Sequence, residues 1–163
     1  MNRILISLAT LLTCIGCADS SEAVTSNDEE TVTSSQDPTG IPIFPASRMQ
    51  DLVDSVDHVD YLFYDLDFSM SMDQQPGINY AIATIGDTPA KLDANCKPIG
   101  RIFYEVQGRT AASAQLYFSP GCAYLSFVND AGDILYASEV SPVGKDFLNQ
   151  QFGQIIPNYV PVN

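Results

Sequence analysis

The chain holds one histidine, and it stands among carboxylates in Asp57-His58-Val59-Asp60. An imidazole beside carboxylates is the pattern of a general base with a raised pKa, oriented by its acidic neighbours. It is equally the pattern of a residue just past a helix, where positive charge near the C-terminus is favourable. Catalysis also needs a reacting group in register with the base and its orienter. No Gly-x-Ser-x-Gly elbow supplies one. A hydrolase using Asp57, His58 and Asp60 is therefore the alternative reading, and no residue is assigned as catalytic. Aspartates recur nearby at 51, 54, 57, 60, 65, 67 and 73. Asp65 and Asp67, facing one way on a strand, are the pair that would hold a hard cation such as calcium. The EF-hand spacing and a tight glycine are both missing, so a solvated acidic face, with no metal and no cofactor, is the expectation.

Cys96 and Cys122 are the second candidate chemistry. Cys-x-x-Cys at a helix start would indicate a redox pair, and these two are far apart in sequence. They fall instead at the same end of a run of strands. Folding the preceding loop over one strand brings them within bridging reach, so a structural disulfide is expected.

The elements that position these residues follow from periodicity. Ile102, Tyr104 and Val106 alternate with Arg101, Phe103 and Glu105. Ala112, Ala114, Leu116 and Phe118 alternate with Ser113, Gln115 and Tyr117. Ala123, Leu125 and Phe127 alternate with Tyr124, Ser126 and Val128, and Ile134 to Val140 is a fourth case. Each pattern has the two-residue period of a half-buried strand. Short links at Gln107–Thr110, Ser119–Cys122 and Asn129–Asp133 join them as antiparallel neighbours, and Pro120-Gly121 suits a type II turn. Upstream, Ala46 to Asp57 reads as a helix, with Met49, Leu52, Val53 and Val56 on one side. Val59 to Met72 reads as one long strand with Leu62, Tyr64, Leu66, Phe68, Met70 and Met72 inward. Residues 73–87 fit either a helix capped by Asp73 or a strand, and 88–95 reads as a loop. Ser141-Pro142 is a helix start, a hydroxyl cap before proline, and Pro157 ends that helix. The expected fold is α+β, an antiparallel sheet of about five strands packed with two or three helices. One long N-terminal strand and a four-strand meander make up that sheet.

That pattern puts several aromatics on the polar side of the sheet. Phe103 and Tyr117 would sit across from each other with Tyr124 beside them, and Tyr61 and Phe63 would share that side. Exposed apolar patches mark interaction sites, so these five form the expected ligand surface, for an envelope protein or a glycan. A helix covering that side would instead make them core.

The N-terminus carries a different signal. Arg3 precedes an apolar run from Ile4 to Ile15, the length of a signal-peptide core and short of the roughly 20 residues a membrane span needs. Gly16-Cys17 follows and resembles the lipobox of bacterial lipoproteins, although Cys14 stands where leucine is typical. The resemblance covers the first 17 or so residues. It implies that 1–16 is a signal peptide, that Cys17 carries acyl chains such as palmitate, and that these anchor the protein in a bacterial envelope membrane. Ala18 rather than aspartate follows the cysteine, which favours the outer membrane. Anchoring at Cys14, after Thr13, and ordinary cleavage after Ala18 remain open.

Residues 17–40 hold Asp19, Glu22, Asp28, Glu29, Glu30 and Asp37 with no basic residue, the composition of a flexible tether. Residues 41–163 form the expected single domain. The net charge is −13, and the cations from Arg48 to Lys145 are scattered, so nucleic acid is excluded as a partner. The sequence as a whole reads as a lipid-anchored envelope protein, a non-catalytic binding or structural module.

Overall fold

Antiparallel pairing of short amphipathic strands dominates the computed structural model, which describes residues 40–163; the signal peptide, the lipidated Cys17 and the tether expected within 1–39 lie outside the described residues. In chain order the elements are α1 (Ala46–Ser55), β1 (His58–Phe63), β2 (Ser69–Met72), α2 (Gln75–Ala83), β3 (Ile85–Pro89), β4 (Gly100–Val106), β5 (Arg109–Ser119), β6 (Cys122–Val128), β7 (Ile134–Val140) and α3 (Pro142–Ile155). The strands make one antiparallel sheet of seven, in the order β2-β1-β4-β5-β6-β7-β3.

The meander β4 to β7 follows the alternation. Ile102, Tyr104, Ala114, Leu116, Phe118, Leu125 and Phe127 all lie in one core cluster, together with Leu52 of α1, Ile78 and Ile82 of α2, and Leu148 and Phe152 of α3. All three helices therefore pack on one face of the sheet. The β4–β5 link is tighter than expected. Gln107 and Gly108 both have positive φ, +52° and +72°, the two-residue turn whose twist suits a hairpin. Gly121 has φ +82° after Pro120, as a type II turn requires.

The expected count of about five strands falls short for two reasons. The run from Val59 to Met72 is two strands, not one. It bends at residues 64–67 and returns as a hairpin, with Val59 opposite Met72 and Leu62 opposite Ser69. The bend changes which residues face inward. Val59, Tyr61 and Phe63 are buried before it, while Leu66, Phe68, Met70 and Met72 pack on the core after it. The second added strand is β3, from the stretch read as ambiguous and then as loop. It pairs with the far edge of β7 through Ile85–Val140 and Pro89–Ser138. Residues 75–83 are helical, but Asp73 is not the cap. Gln74 occupies that position without a side-chain bond, and a proline stands in the first turn.

At α3 the expected cap forms and does more. Ser141 Oγ accepts from Gly144 N at 2.9 Å and donates to the carbonyl of Ala83, at the end of α2. One hydroxyl thus serves the orphan groups of two helix ends. Gly144 lets the ends approach, because a Cβ there would lie 2.7 Å from Thr84 Cα. Ser141→Ala should cost about 1–2 kcal/mol. The check is a lower urea midpoint at unchanged slope.

Candidate functional site

Among the described residues, the helices cover one face of the sheet and leave the other without a helix. Register fixes which residues share the second, outer face. Leu62 lies opposite Arg101, Arg101 opposite Gln115, Gln115 opposite Ser126 and Ser126 opposite Ala137. The parallel row runs Ser71, Asp60, Phe103, Ser113.

The two ends of this face differ. A disulfide joins Cys96 to Cys122 with Cα atoms 5.8 Å apart. It pins the loop after β3 against the β5–β7 end. There Ala90, Tyr124 and Ala137 are buried, with Ile41, Leu92 and Tyr117 packed on them. Among the described residues no helix lies over the β2-β1-β4 end. Leu62 is 48% exposed there, and Phe103 and Arg101 are half-buried.

Arg101 is the charged centre of the open end. Its Nη2 donates to Ser113 Oγ at 2.8 Å. Its guanidinium carbon sits 5.1 Å from the centre of the Phe103 ring, a contact worth about 0.5–1 kcal/mol at a surface. Its Nε is buried with no acceptor among the described residues. The one contact of a histidine, lysine or arginine with a carboxylate among the described residues joins His58 to Asp60 on the same face, so Arg101 carries its charge without a carboxylate partner there.

The expected aromatic surface divides. Phe103 is on the outer face, but across from Ser113 and Asp60 and not from Tyr117. Tyr117 faces Tyr124 instead, stacked at 4.2 Å between ring centres, and its hydroxyl donates to Gln115 Oε1 at 2.9 Å. Tyr124 is 5% exposed beneath the disulfide loop, and that burial raises its pKa. Tyr61 and Phe63 are not on this face at all. They belong to the helix-covered core, because the bend after β1 reverses the phase that the alternation implied. Sequence reasoning placed Leu62 inward and left Arg101 among scattered cations. The available signal was Arg101-x-Phe103, a cation and a ring two residues apart on the polar side of one strand.

The histidine cluster also resolves into roles. Asp57 Oδ2 accepts from Gln107 N at 2.9 Å, and Asp57 N donates to Glu105 O at 3.0 Å, so this residue braces the β4–β5 turn. His58 Nε2 lies 3.1 Å from Asp60 Oδ1, and Ser71 Oγ donates to the same oxygen. In a catalytic relay the imidazole stands between hydroxyl and carboxylate. Here the carboxylate stands between the other two, so the serine proton is directed at Asp60. Asp65 and Asp67 are exposed in the bend between β1 and β2, not on a strand. Among the described residues no three His, Cys, Asp or Glu side chains gather as a metal site. A groove of about 440 Å³ between α2 and α3 is lined by Tyr80, Val143 and Phe147 with Asp146.

No family model, no curated protein and no solved structure matches the chain.

Proposed function

We propose that the protein is a non-catalytic binding module of a bacterial envelope, held to its membrane by acyl chains on Cys17, and that the open end of the outer sheet face is its contact surface. One observation carries the reading: the disulfide loop covers one end of that face, leaving Leu62, Phe103 and an ion-pair-free Arg101 together at the other. A flat platform with an aromatic ring, an aliphatic side chain and spare guanidinium donors suits a glycan or a protein surface.

The test is binding of the purified chain to immobilised envelope polysaccharide and to envelope protein extract. Arg101→Ala, and separately Leu62→Ala with Phe103→Ala, should weaken capture at least about tenfold, a loss of about 1.4 kcal/mol. Circular dichroism should show the fold retained. Unchanged capture by both variants would remove the surface from consideration. Mass spectrometry of the mature amino terminus tests the anchor separately. A hydrolase centred on His58 would instead lose turnover of the bound glycan in His58→Ala with capture intact.

A further inference from the structure

Among the described residues β2 closes one edge of the sheet and pairs only with β1. No turn, loop or helix among the described residues supplies a main-chain partner to Ser69–Met72. The other edge is blunted: β3 carries Pro89, and its register with β7 breaks between Ile85 and Pro89. Beside it, Pro42 O accepts from Ala137 N at 2.9 Å, so the lead-in segment covers part of β7 as well. Apart from its length of four residues, β2 has none of the usual protections of an edge strand. It contains no proline, no glycine and no charge.

The side chains of β2 alternate in character. Met70 and Met72 pack on the helix-covered core, while Ser69 and Ser71 are exposed. α2 steadies the strand from below, since a Cβ at Gly77 would lie 3.3 Å from Met72 Cβ. Asp65 and Asp67 precede β2 and Asp73 follows it, all three exposed. Those charges select the occupant. Two copies pairing antiparallel through β2 would bring Asp67 of one against Asp73 of the other, and like charges across strands are destabilising. A partner with cations at its ends meets attraction at both.

We infer that the edge of β2 accepts an extended segment of a partner protein by strand addition. That segment is apolar at alternate residues and basic at its ends. Main-chain bonds to β2 supply part of the affinity and alternate side chains the register. The apolar ones lie over Met70 and Met72, whose flexible thioethers adapt to different shapes. This edge borders the outer-face surface, which includes Ser71, but it binds through main-chain groups and rests on neither that surface nor the anchor.

The probe is the fluorescent peptide Lys-Lys-Thr-Val-Thr-Val-Thr-Lys-Lys, titrated into the full chain. Anisotropy gives affinity, and amide hydrogen exchange locates the contact. Binding should slow exchange at Ser69–Met72. It should weaken about tenfold in the Asp65→Asn/Asp67→Asn/Asp73→Asn variant and by a similar factor at about 0.5 M salt. A peptide with proline at its centre should not bind, a control that leaves the protein untouched. Three results would overturn the inference: no binding, binding that leaves β2 exchange unchanged, or a dimer already protected at β2 without peptide. The last would make a second copy the occupant.

Discussion

Replacing both Cys96 and Cys122 with alanine should lower the stability of the fold by about 3.5 kcal/mol, the chain-entropy value for a loop of this length. The bridge spans a sequence separation of 26, so breaking it frees a long segment in the unfolded ensemble. Two signatures follow in urea. The midpoint falls, and the slope rises because the unfolded chain exposes more surface without the link. Wild-type protein unfolded in reductant should behave the same way. The native state should respond locally as well. The loop that covers Tyr124 and Ala137 is tied to the sheet at its ends, by Ala90 N to Ala137 O and Ile99 N to Leu116 O, but between them its hydrogen bonds among Asp93, Asn95 and Cys96 are short-range. Amides of the β6–β7 end should therefore exchange faster while those of β1 and β4 do not. A loss under about 1 kcal/mol would mean that the loop packs well enough to need no staple. Under the proposed function, the same variant should keep ligand binding at Arg101 and Phe103, because the roofed end is not the contact.

The contrast between Tyr124 and Phe103 shows where sequence reading ends. Both stand at polar-side positions in strands whose alternation is unambiguous, and both are on the outer face. One is buried because a loop distant in sequence is bridged over it, and no periodicity within the strand reports that. The meander was legible because each strand carries apolar residues on one side only and each link contains its own turn chemistry. β1 was not, because Val59, Tyr61 and Phe63 on one side compete with Leu62 and Tyr64 on the other. Either phase gives a credible strand, and only the bend at Asp65–Asp67 decides between them. β3 was harder still. Ile85-Gly86-Asp87-Thr88-Pro89 has poor strand propensity, and it is a strand by virtue of its neighbour. Gly86 allows that contact, since a Cβ there would lie 2.4 Å from the Glu139 carbonyl. The cap at Ser141 was legible from two adjacent residues, but its second bond to Ala83 joins positions 58 residues apart.

Two buried tyrosines should make the fold yield steeply to alkali. Tyr61 and Tyr104 are both 0% exposed, on neighbouring strands of the core face, and neither hydroxyl has a hydrogen-bond partner among the described residues. Burial pushes both pKa values well above the ordinary tyrosine range. Thr84 nearby offsets a little of this for Tyr61, although its hydroxyl donates to Tyr80 O at 3.1 Å and falls short of bonding the phenol. For Tyr104 the neighbouring Tyr61 adds to the rise. The folded-state pKa thus exceeds the unfolded value of about 10, so the native state holds protons that the unfolded chain releases. Stability is complete below about pH 10 and falls above it. The slope is about 1.4 kcal/mol per pH unit for each tyrosine, near 2.7 for the pair. Urea midpoints measured between about pH 8 and 11.5 should be flat and then drop, and tyrosinate absorbance from these two rings should appear only as the protein unfolds. Tyr104→Phe should halve the slope while leaving stability at neutral pH equal or slightly higher, because it removes an unsatisfied buried hydroxyl without opening a cavity. The Tyr61→Phe/Tyr104→Phe protein should lose most of the alkaline drop. If its midpoints fall as steeply as those of the wild type, the charge that destabilises the native state resides elsewhere, and the core does not exclude water from these rings.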